Sequence, residues 1–176
     1  VFKNIDILDE NFQLKQNVSV RVEGNLIKEI SSEPIEQKEA DRVIDGKNRV
    51  LIPGFVNAHA HSPMSLMRGY GENMSLQDWL FKRIFPFEDK LNSDAVYYGT
   101  LLTMAESFKY GIVSTSDMYY FVDDMVRAVL ESGAKANISR SITNPAGAPF
   151  DSLVSVKEAV EVASKYHMFA DGRIRI

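Results

Sequence analysis

The sequence predicts an α/β protein, and two patterns carry that prediction. From residue 51 onward, short apolar runs alternate with helical patterns, an order typical of a parallel sheet with helices packed on it. Earlier in the chain, at residues 5–7 and 18–22, apolar side chains alternate one by one with polar ones, as in half-buried strands. We therefore expect strands alone in residues 1–50 and strand–helix units in residues 51–176.

The first part of the chain needs tight turns between its strands. Gly24-Asn25 suits a two-residue hairpin turn, because glycine and asparagine tolerate the left-handed backbone that such turns require. A few strands enclose little core by themselves. An autonomous small β-domain in residues 1–50 and a piece of a larger one both remain open at this point.

The second part reads as a series of strands and helices joined by short loops. In chain order we predict a buried strand at 51–57 with both faces apolar, a helix at 93–110, a strand at 112–116, a helix at 122–132, a strand at 134–140, a helix from 151 to about 166, and a strand opening at 173. Residues 62–90 carry mixed signals, with Pro63 and Pro86 as breaks and a helical pattern at 76–85.

Local signals define the ends of these helices. Asn92 or Ser93 can cap the first helix, and Gly111 suits its end. Gly133 closes the second helix in the same way, and Asp151 can cap the third.

The first predicted strand leads into the two histidines His59 and His61. Side chains two residues apart on a strand point to the same face, so both imidazoles should converge on one point. Imidazole is the commonest metal ligand, so we predict that the pair holds a divalent metal ion. Two surface histidines in a loop are the alternative. The remaining histidine, His167, is expected at a helix end, where it would complement the helix dipole.

A set of motifs carries a family resemblance. The stretches 43–46 and 53–64, followed by 66–70, 79–80, 86–88 and 116–119, resemble the amidohydrolase superfamily. Within it they are similar to the branch that holds the 5-methylthioadenosine/S-adenosylhomocysteine deaminases and the triazine hydrolases. The resemblance runs from about Ile5 to Ile176.

The resemblance implies a partial (β/α)₈ TIM-type barrel preceded by a small β-sandwich segment. Residues 1–50 would be the N-terminal part of a composite β-sandwich, and residues 51–176 the first three to four βα units of the barrel. A complete barrel takes about 250 residues, so we expect a fragment of a longer protein. The remaining metal ligands and the proton-shuttling glutamate would then lie beyond residue 176, with no catalytic residue in this chain other than the metal ligands.

The resemblance also implies a reaction and its cofactor. The metal would be zinc, with iron, nickel or manganese as alternatives, and it would activate water to attack a ring carbon that bears an amino group. The expected reaction is deamination of an adenosine-type nucleoside to its inosine form. A triazine-type or other aminoheterocycle hydrolase is one alternative, and a non-catalytic fragment or interaction module is another.

Four further residues receive roles by the same resemblance. Trp79 would line the substrate pocket, with a core anchor as the alternative. Glu88 would accept hydrogen bonds from the ribose hydroxyls, unless it is a solvated helix-end acid. Arg140 would pair with a substrate carboxylate or form an ordinary ion pair, and Asp117 would be a structural hydrogen-bond acceptor. Residues 141–172 contain no arginine, although the deaminases often carry a second one there, which disfavours S-adenosylhomocysteine as the substrate.

Composition excludes several classes of partner. The net charge of −4 and the lack of a basic stripe argue against a nucleic-acid partner, and no apolar run approaches 18 residues, the length of a membrane span. We expect a small-molecule substrate and a homo-oligomer in the full-length form. The chain has no cysteine, which is compatible with the reducing cytoplasm where we expect the protein.

Overall fold

The computed structural model describes residues 1–39, 42–144 and 146–176. The chain divides into two compact units, Val1–Pro53 and Gly54–Ile176. Among the described residues, no helix is both long and apolar enough to cross a membrane.

The N-terminal unit is a five-stranded sheet. Its strands are β1 (Phe2–Leu8), β2 (Leu14–Glu23), β3 (Leu26–Ser31), β4 (Ile44–Asp45) and β5 (Val50–Leu51). Strands β3, β2 and β1 pair antiparallel, while β4 and β5 each pair parallel with β1. Gly24 has φ +60° in the two-residue turn between β2 and β3, so the predicted hairpin is confirmed. The buried apolar cluster of this unit is small and consists of Ile5, Ile7, Val18 and Val20.

The predicted single strand at 51–57 is wrong. Leu51 belongs to β5 in the N-terminal sheet, and a new strand, β6 (Phe55–Ala60), begins in the second unit. Pro53 has no N–H to donate to a strand ladder, which explains the interruption. Glycine is needed next, because a Cβ on Gly54 would lie 2.6 Å from the side chain of Val113.

The C-terminal unit is built on a parallel sheet with the strand order β6-β7-β8-β9. Its other strands are β7 (Ile112–Tyr119), β8 (Lys135–Arg140) and β9 (Ile174–Arg175). The predicted α/β class with a parallel sheet is thereby confirmed for this unit. Strand β6 lies at one edge of the described sheet, and Phe55 and Val56 are 56% and 65% exposed, so the expected burial of both its faces is wrong.

Two of the long helices follow the sequence signals closely. Helix α3 (Ser93–Lys109) is capped by Asn92, whose Oδ1 accepts a hydrogen bond from the Ala95 N–H at 2.9 Å. Helix α4 (Val122–Ser132) ends at Gly133, which has φ +82°. Helix α5 (Val154–Tyr166) begins later than predicted, because a 3₁₀ turn (Phe150–Ser152) includes Asp151 and leaves the capping position to Leu153.

The segment after β6 is more helical than its prolines predict. It begins with a 3₁₀ helix (Ser62–Met67). Further on, α1 (Leu76–Trp79), a π-helical turn (Leu80–Ile84) and α2 (Phe85–Glu88) follow one another without a break. The Phe85 N–H bonds to the carbonyl oxygen of Leu80, five residues earlier. This wider turn accommodates Pro86, which would otherwise clash with the carbonyl four residues before it. The helix therefore continues to Glu88.

The core of the C-terminal unit lies between the sheet and its helices. Its most deeply buried large side chains are Met104, Met125, Ile138, Ile174 and Val96. Burying one such side chain stabilises a fold by about 1.5–3 kcal/mol, so this cluster fixes the strands whose ends carry the polar residues described next.

Candidate metal and substrate site

The carboxyl ends of three parallel strands bring the predicted site residues to one edge of the sheet. His59 lies in β6 and His61 directly after it, while Tyr119 and Arg140 are the last residues of β7 and β8. Tyr119 is paired with Arg140 in the strand register, and Ala60 is paired with Asp117. Neighbouring strands that end together place these side chains side by side.

The two imidazoles converge as predicted. The Nε2 atoms of His59 and His61 lie 3.2 Å apart, with the rings at 82° to each other. Two nitrogen ligands of one tetrahedral zinc ion, each bound at 2.0–2.1 Å, would be separated by about 3.3 Å. The pair therefore fits a shared cation, although the same separation also suits a hydrogen bond between the rings.

The orientation of the His61 ring is fixed by a contact with the backbone of β7. Its Nδ1 lies 2.9 Å from the carbonyl oxygen of Met118. A carbonyl can only accept, so Nδ1 must carry the proton, and the lone pair of neutral His61 is then on Nε2. A ring held in this tautomer by a backbone carbonyl is the usual arrangement of a metal-binding histidine.

Asp117 anchors the chain immediately after the histidine pair. It is 3% exposed, its Oδ1 accepts a hydrogen bond from the Ser62 N–H at 3.1 Å, and its Oδ2 accepts another from the Ser62 hydroxyl. The Ser62 carbonyl in turn accepts a hydrogen bond from the Thr103 hydroxyl at 2.8 Å. The prediction that Asp117 is a structural acceptor is confirmed. Ser62 was not singled out by the sequence, because a serine carries no signal of such a distant partner.

The chain supplies two metal-type ligands at this point. Within residues 1–39, 42–144 and 146–176, no three His, Cys, Asp or Glu side chains are grouped so that they could hold a metal ion. His167 lies just after α5, where its Nδ1 is 2.9 Å from the carbonyl oxygen of Ile176. Its ring therefore contacts the backbone just after β9, whereas the sequence predicted an interaction with the helix dipole.

Glu88 lies at the end of α2 and reaches the carboxyl end of β7. Its Oε1 accepts a hydrogen bond from the Tyr119 hydroxyl at 2.7 Å. Burial raises the pKa of Glu88, while the Tyr119 hydrogen bond and the nearby His61 oppose that rise. Burial and the adjacent Glu88 also raise the pKa of Tyr119, which keeps the phenol protonated as the donor. Sequence reasoning found Glu88 but missed Tyr119.

A cavity of about 660 Å³ joins Glu88 to Arg140. The Arg140 guanidinium lies over the Tyr120 ring, 5.0 Å from its centre, and its Nε donates to Glu158 Oε2 at 2.7 Å. The ion pair that was one of the two expected roles of Arg140 is thus present, and its role toward a substrate stays a prediction. Arg140 and Glu158 both line the cavity, together with other aromatic and acidic side chains.

Trp79 occupies a different position from Glu88 and Arg140. Its ring is half-buried and packs against the main apolar cluster of the unit. The backbone approaches closely at Gly71, which has φ +92° and where a Cβ would lie 2.9 Å from Cδ1 of the Trp79 ring. These contacts match the core-anchor alternative for Trp79.

These features define a parallel α/β unit with its polar residues gathered at the carboxyl ends of the strands, the usual location of the active site in α/β enzymes. The family model described as "Amidohydrolase family" matches residues 50–176. The chain belongs to this family of hydrolytic enzymes.

Curated relatives align with two thirds of the chain or more. The chain is 38% identical over 176 residues to a 5-methylthioadenosine/S-adenosylhomocysteine deaminase of Dictyoglomus thermophilum, a match that covers 100% of this chain and 40% of that protein. It is 48% identical over 120 residues to a 5'-deoxyadenosine deaminase of Methanococcus vannielii, covering 67% of this chain and 28% of that one. The chain thus spans about two fifths of the length of the first relative.

Two solved structures share the fold. Atrazine chlorohydrolase TrzN from Arthrobacter aurescens TC1, complexed with zinc, aligns with a TM-score of 0.84 over 99% of this chain and 45% of its own, at 18% identity. Guanine deaminase from C. acetobutylicum with bound guanine aligns with a TM-score of 0.76 over 99% and 44%, at 21% identity. At such identities the likeness concerns the fold.

Proposed function

We propose that the chain is the N-terminal part of a metal-dependent hydrolase that deaminates an adenosine-type nucleoside. Residues 1–50 would contribute to a composite β-sandwich, and residues 51–176 would form the first three to four units of a (β/α)₈ TIM-type barrel. The observation that carries the proposal is the pair of Nε2 atoms 3.2 Å apart at the end of a parallel strand. Family membership and the deaminase names of the curated relatives support it.

In this proposal His59 and His61 are two ligands of a divalent metal, zinc in the first place and iron, nickel or manganese as alternatives. A catalytic zinc usually has about three protein ligands, so a further ligand and the proton-shuttling acid would come from outside this chain. Such a metal lowers the pKa of the water it binds toward ~7 and so supplies the nucleophile at neutral pH. His61 keeps its Nε2 available by donating from Nδ1 to the Met118 carbonyl.

The remaining residues bind and orient the substrate. Ionised Glu88 would accept hydrogen bonds from the ribose hydroxyls, held in place by the Tyr119 hydroxyl. Arg140 would form the opposite wall of the cavity, while Trp79 would serve as an anchor in the core. The proposal includes a small-molecule substrate and a homo-oligomeric, cytoplasmic full-length protein.

A triazine-type or other aminoheterocycle hydrolase is the second candidate, since atrazine chlorohydrolase has the same fold. Glu88 separates the two candidates. A half-buried acid that accepts hydrogen bonds has an evident use with a ribose and none with a substrate that lacks a sugar. Ammonia release from aminopurine nucleosides, but not from free aminoheterocycles, would support the nucleoside deaminase.

The metal assignment is tested with the full-length protein that contains this chain. His59→Ala should strip the metal and abolish activity, as measured by elemental analysis and by ammonia release from 5′-deoxyadenosine. His167→Ala is the matched control, because it removes an imidazole whose contact is with the backbone of Ile176. Unchanged metal content in His59→Ala, or equal loss in both variants, would contradict the assignment.

A further inference from the structure

The guanidinium of Arg140 is already occupied on the cavity wall. Nε donates to the Glu158 carboxylate at 2.7 Å, and Nη1 donates to the carbonyl oxygen of Ser141 at 2.6 Å. The Tyr120 ring lies 5.0 Å from the guanidinium carbon. The Arg140 side chain is 16% exposed, so little of its surface is left for a second anion.

The rest of the cavity is acidic. Its described lining includes five carboxyl groups, those of Glu88, Asp89, Asp123, Glu158 and Glu161, and one guanidinium, that of Arg140. Asp123 is offset by its ion pair with Lys165. The remaining acids still outnumber the single cation, so a carboxylate that enters the cavity is repelled by them. Arg140, the one cation that could bind it, is already paired with Glu158.

We infer that Glu158 determines specificity by holding Arg140, so that the cavity selects adenosine derivatives whose 5′ substituent carries no carboxylate. This inference rests on the proposed function and names the substrate class within it. 5′-Deoxyadenosine belongs to the favoured class, whereas S-adenosylhomocysteine carries an amino-acid carboxylate. The Glu158 side chain is 46% exposed, so its ion pair with Arg140 is partly screened by water and the expected selection is modest.

The test uses the full-length protein and measures ammonia release from both nucleosides. The wild type should have the higher kcat/KM for 5′-deoxyadenosine. Glu158→Gln frees the guanidinium and should lower the KM for S-adenosylhomocysteine by about fivefold, the usual upper limit for a partly exposed ion pair. The kcat and the KM for 5′-deoxyadenosine should change much less than the KM for S-adenosylhomocysteine, a split that a general structural defect would not produce.

Two further variants sharpen the test. Glu161→Gln removes the same charge from the same helix and the same cavity but leaves the partner of Arg140 in place, so its effect on the KM ratio should be much smaller. Arg140→Gln, made in the Glu158→Gln background, should remove the gain for S-adenosylhomocysteine, because that gain depends on the freed guanidinium. A fall in the KM for S-adenosylhomocysteine that persists without Arg140 would overturn the inference.

The outcomes also separate this inference from the proposed function. Ammonia release from both nucleosides, with a KM ratio that Glu158→Gln leaves unchanged or that Glu161→Gln changes equally, overturns the inference alone. A wild type that prefers S-adenosylhomocysteine does the same. No ammonia from either nucleoside overturns the proposed function and the inference together.

Discussion

His61 and Arg140 both stand at the carboxyl ends of parallel strands in one sheet, yet they are held by different means. The histidine end of the site (His59, His61 and Asp117) rests on a Met118 carbonyl and on the carboxylate of Asp117, which is 3% exposed. The arginine end (Arg140 and Glu158) rests on an ion pair whose acid is 46% exposed.

The difference in exposure separates a fixed end from an adaptable one. Removing one partner of a buried hydrogen bond leaves the other unsatisfied in a low dielectric, which costs about 1–3 kcal/mol. A partly exposed ion pair contributes about 0–1 kcal/mol and is screened by salt. In the proposed function, the histidine end would provide a fixed ligand geometry, and the arginine end would discriminate between related substrates.

The largest effect is expected when the fixed end is broken. Asp117→Ala leaves the Ser62 N–H and hydroxyl without their acceptor and frees the residue that follows His61. The free energy of unfolding should fall by about 2 kcal/mol or more, and metal affinity by roughly 10–100-fold. Denaturant unfolding and metal titration measure the two effects.

A surface acid provides the control for that change. Asp151→Ala removes an exposed carboxylate that caps no helix, and should alter stability by less than about 0.5 kcal/mol. If Asp117→Ala retained both its stability and its metal, the histidine end would be no more fixed than the arginine end.

An intermediate effect is expected at Glu88, between the two ends. Tyr119→Phe removes the hydrogen bond that lowers the pKa of Glu88, so this pKa should rise further above its ordinary value. Only the carboxylate form accepts two hydrogen bonds from a ribose, so the acidic limb of kcat/KM for nucleosides should move to higher pH. A raised pKa also means that ionised Glu88 reduces stability above that pKa, and stability should recover as the pH falls through it.

The neighbouring tyrosine offers a matched control. Tyr120→Phe removes a hydroxyl from the same strand end but keeps the ring under Arg140. The pH profile of Tyr120→Phe should stay closer to that of the wild type. A profile that does not move in Tyr119→Phe would mean that the hydroxyl of Tyr119 has no influence on Glu88.

The smallest effect is expected from salt. Raising the ionic strength screens the acidic cavity and the partly exposed pair at Arg140, so the KM for S-adenosylhomocysteine should fall by less than about fivefold. The KM for 5′-deoxyadenosine and the metal content should not change. Metal loss at high salt would place the histidine end among the screened, exposed interactions.

Local signals explain the parts of the fold that the sequence predicted well. Asn92 and Gly133 act within one turn of their own helices, so the start of α3 and the end of α4 were correct. The same kind of signal failed at Asp151, where a 3₁₀ turn competes for the position. It failed again at Pro53, because an apolar run does not reveal that its two halves pair in different sheets.

The same distinction between local signals and long-range contacts applies to the site. The convergence of His59 and His61 follows from strand periodicity and could be predicted. The contacts that hold the site join residues far apart in the chain: Ser62 and Asp117 are 55 positions apart, and Glu88 and Tyr119 are 31 apart. No local pattern encodes such pairs, so their partners become visible only when the strands are placed side by side.

The π-helical turn at Leu80–Ile84 affects how this site can change in evolution. Each residue of an α-helix turns the chain by about 100°, so deleting one residue from this turn would swing Glu88 away from Tyr119. The number of residues in the turn therefore determines the direction in which the side chain of Glu88 points. A one-residue insertion or deletion there could redirect substrate choice while every side chain of the cavity stayed the same.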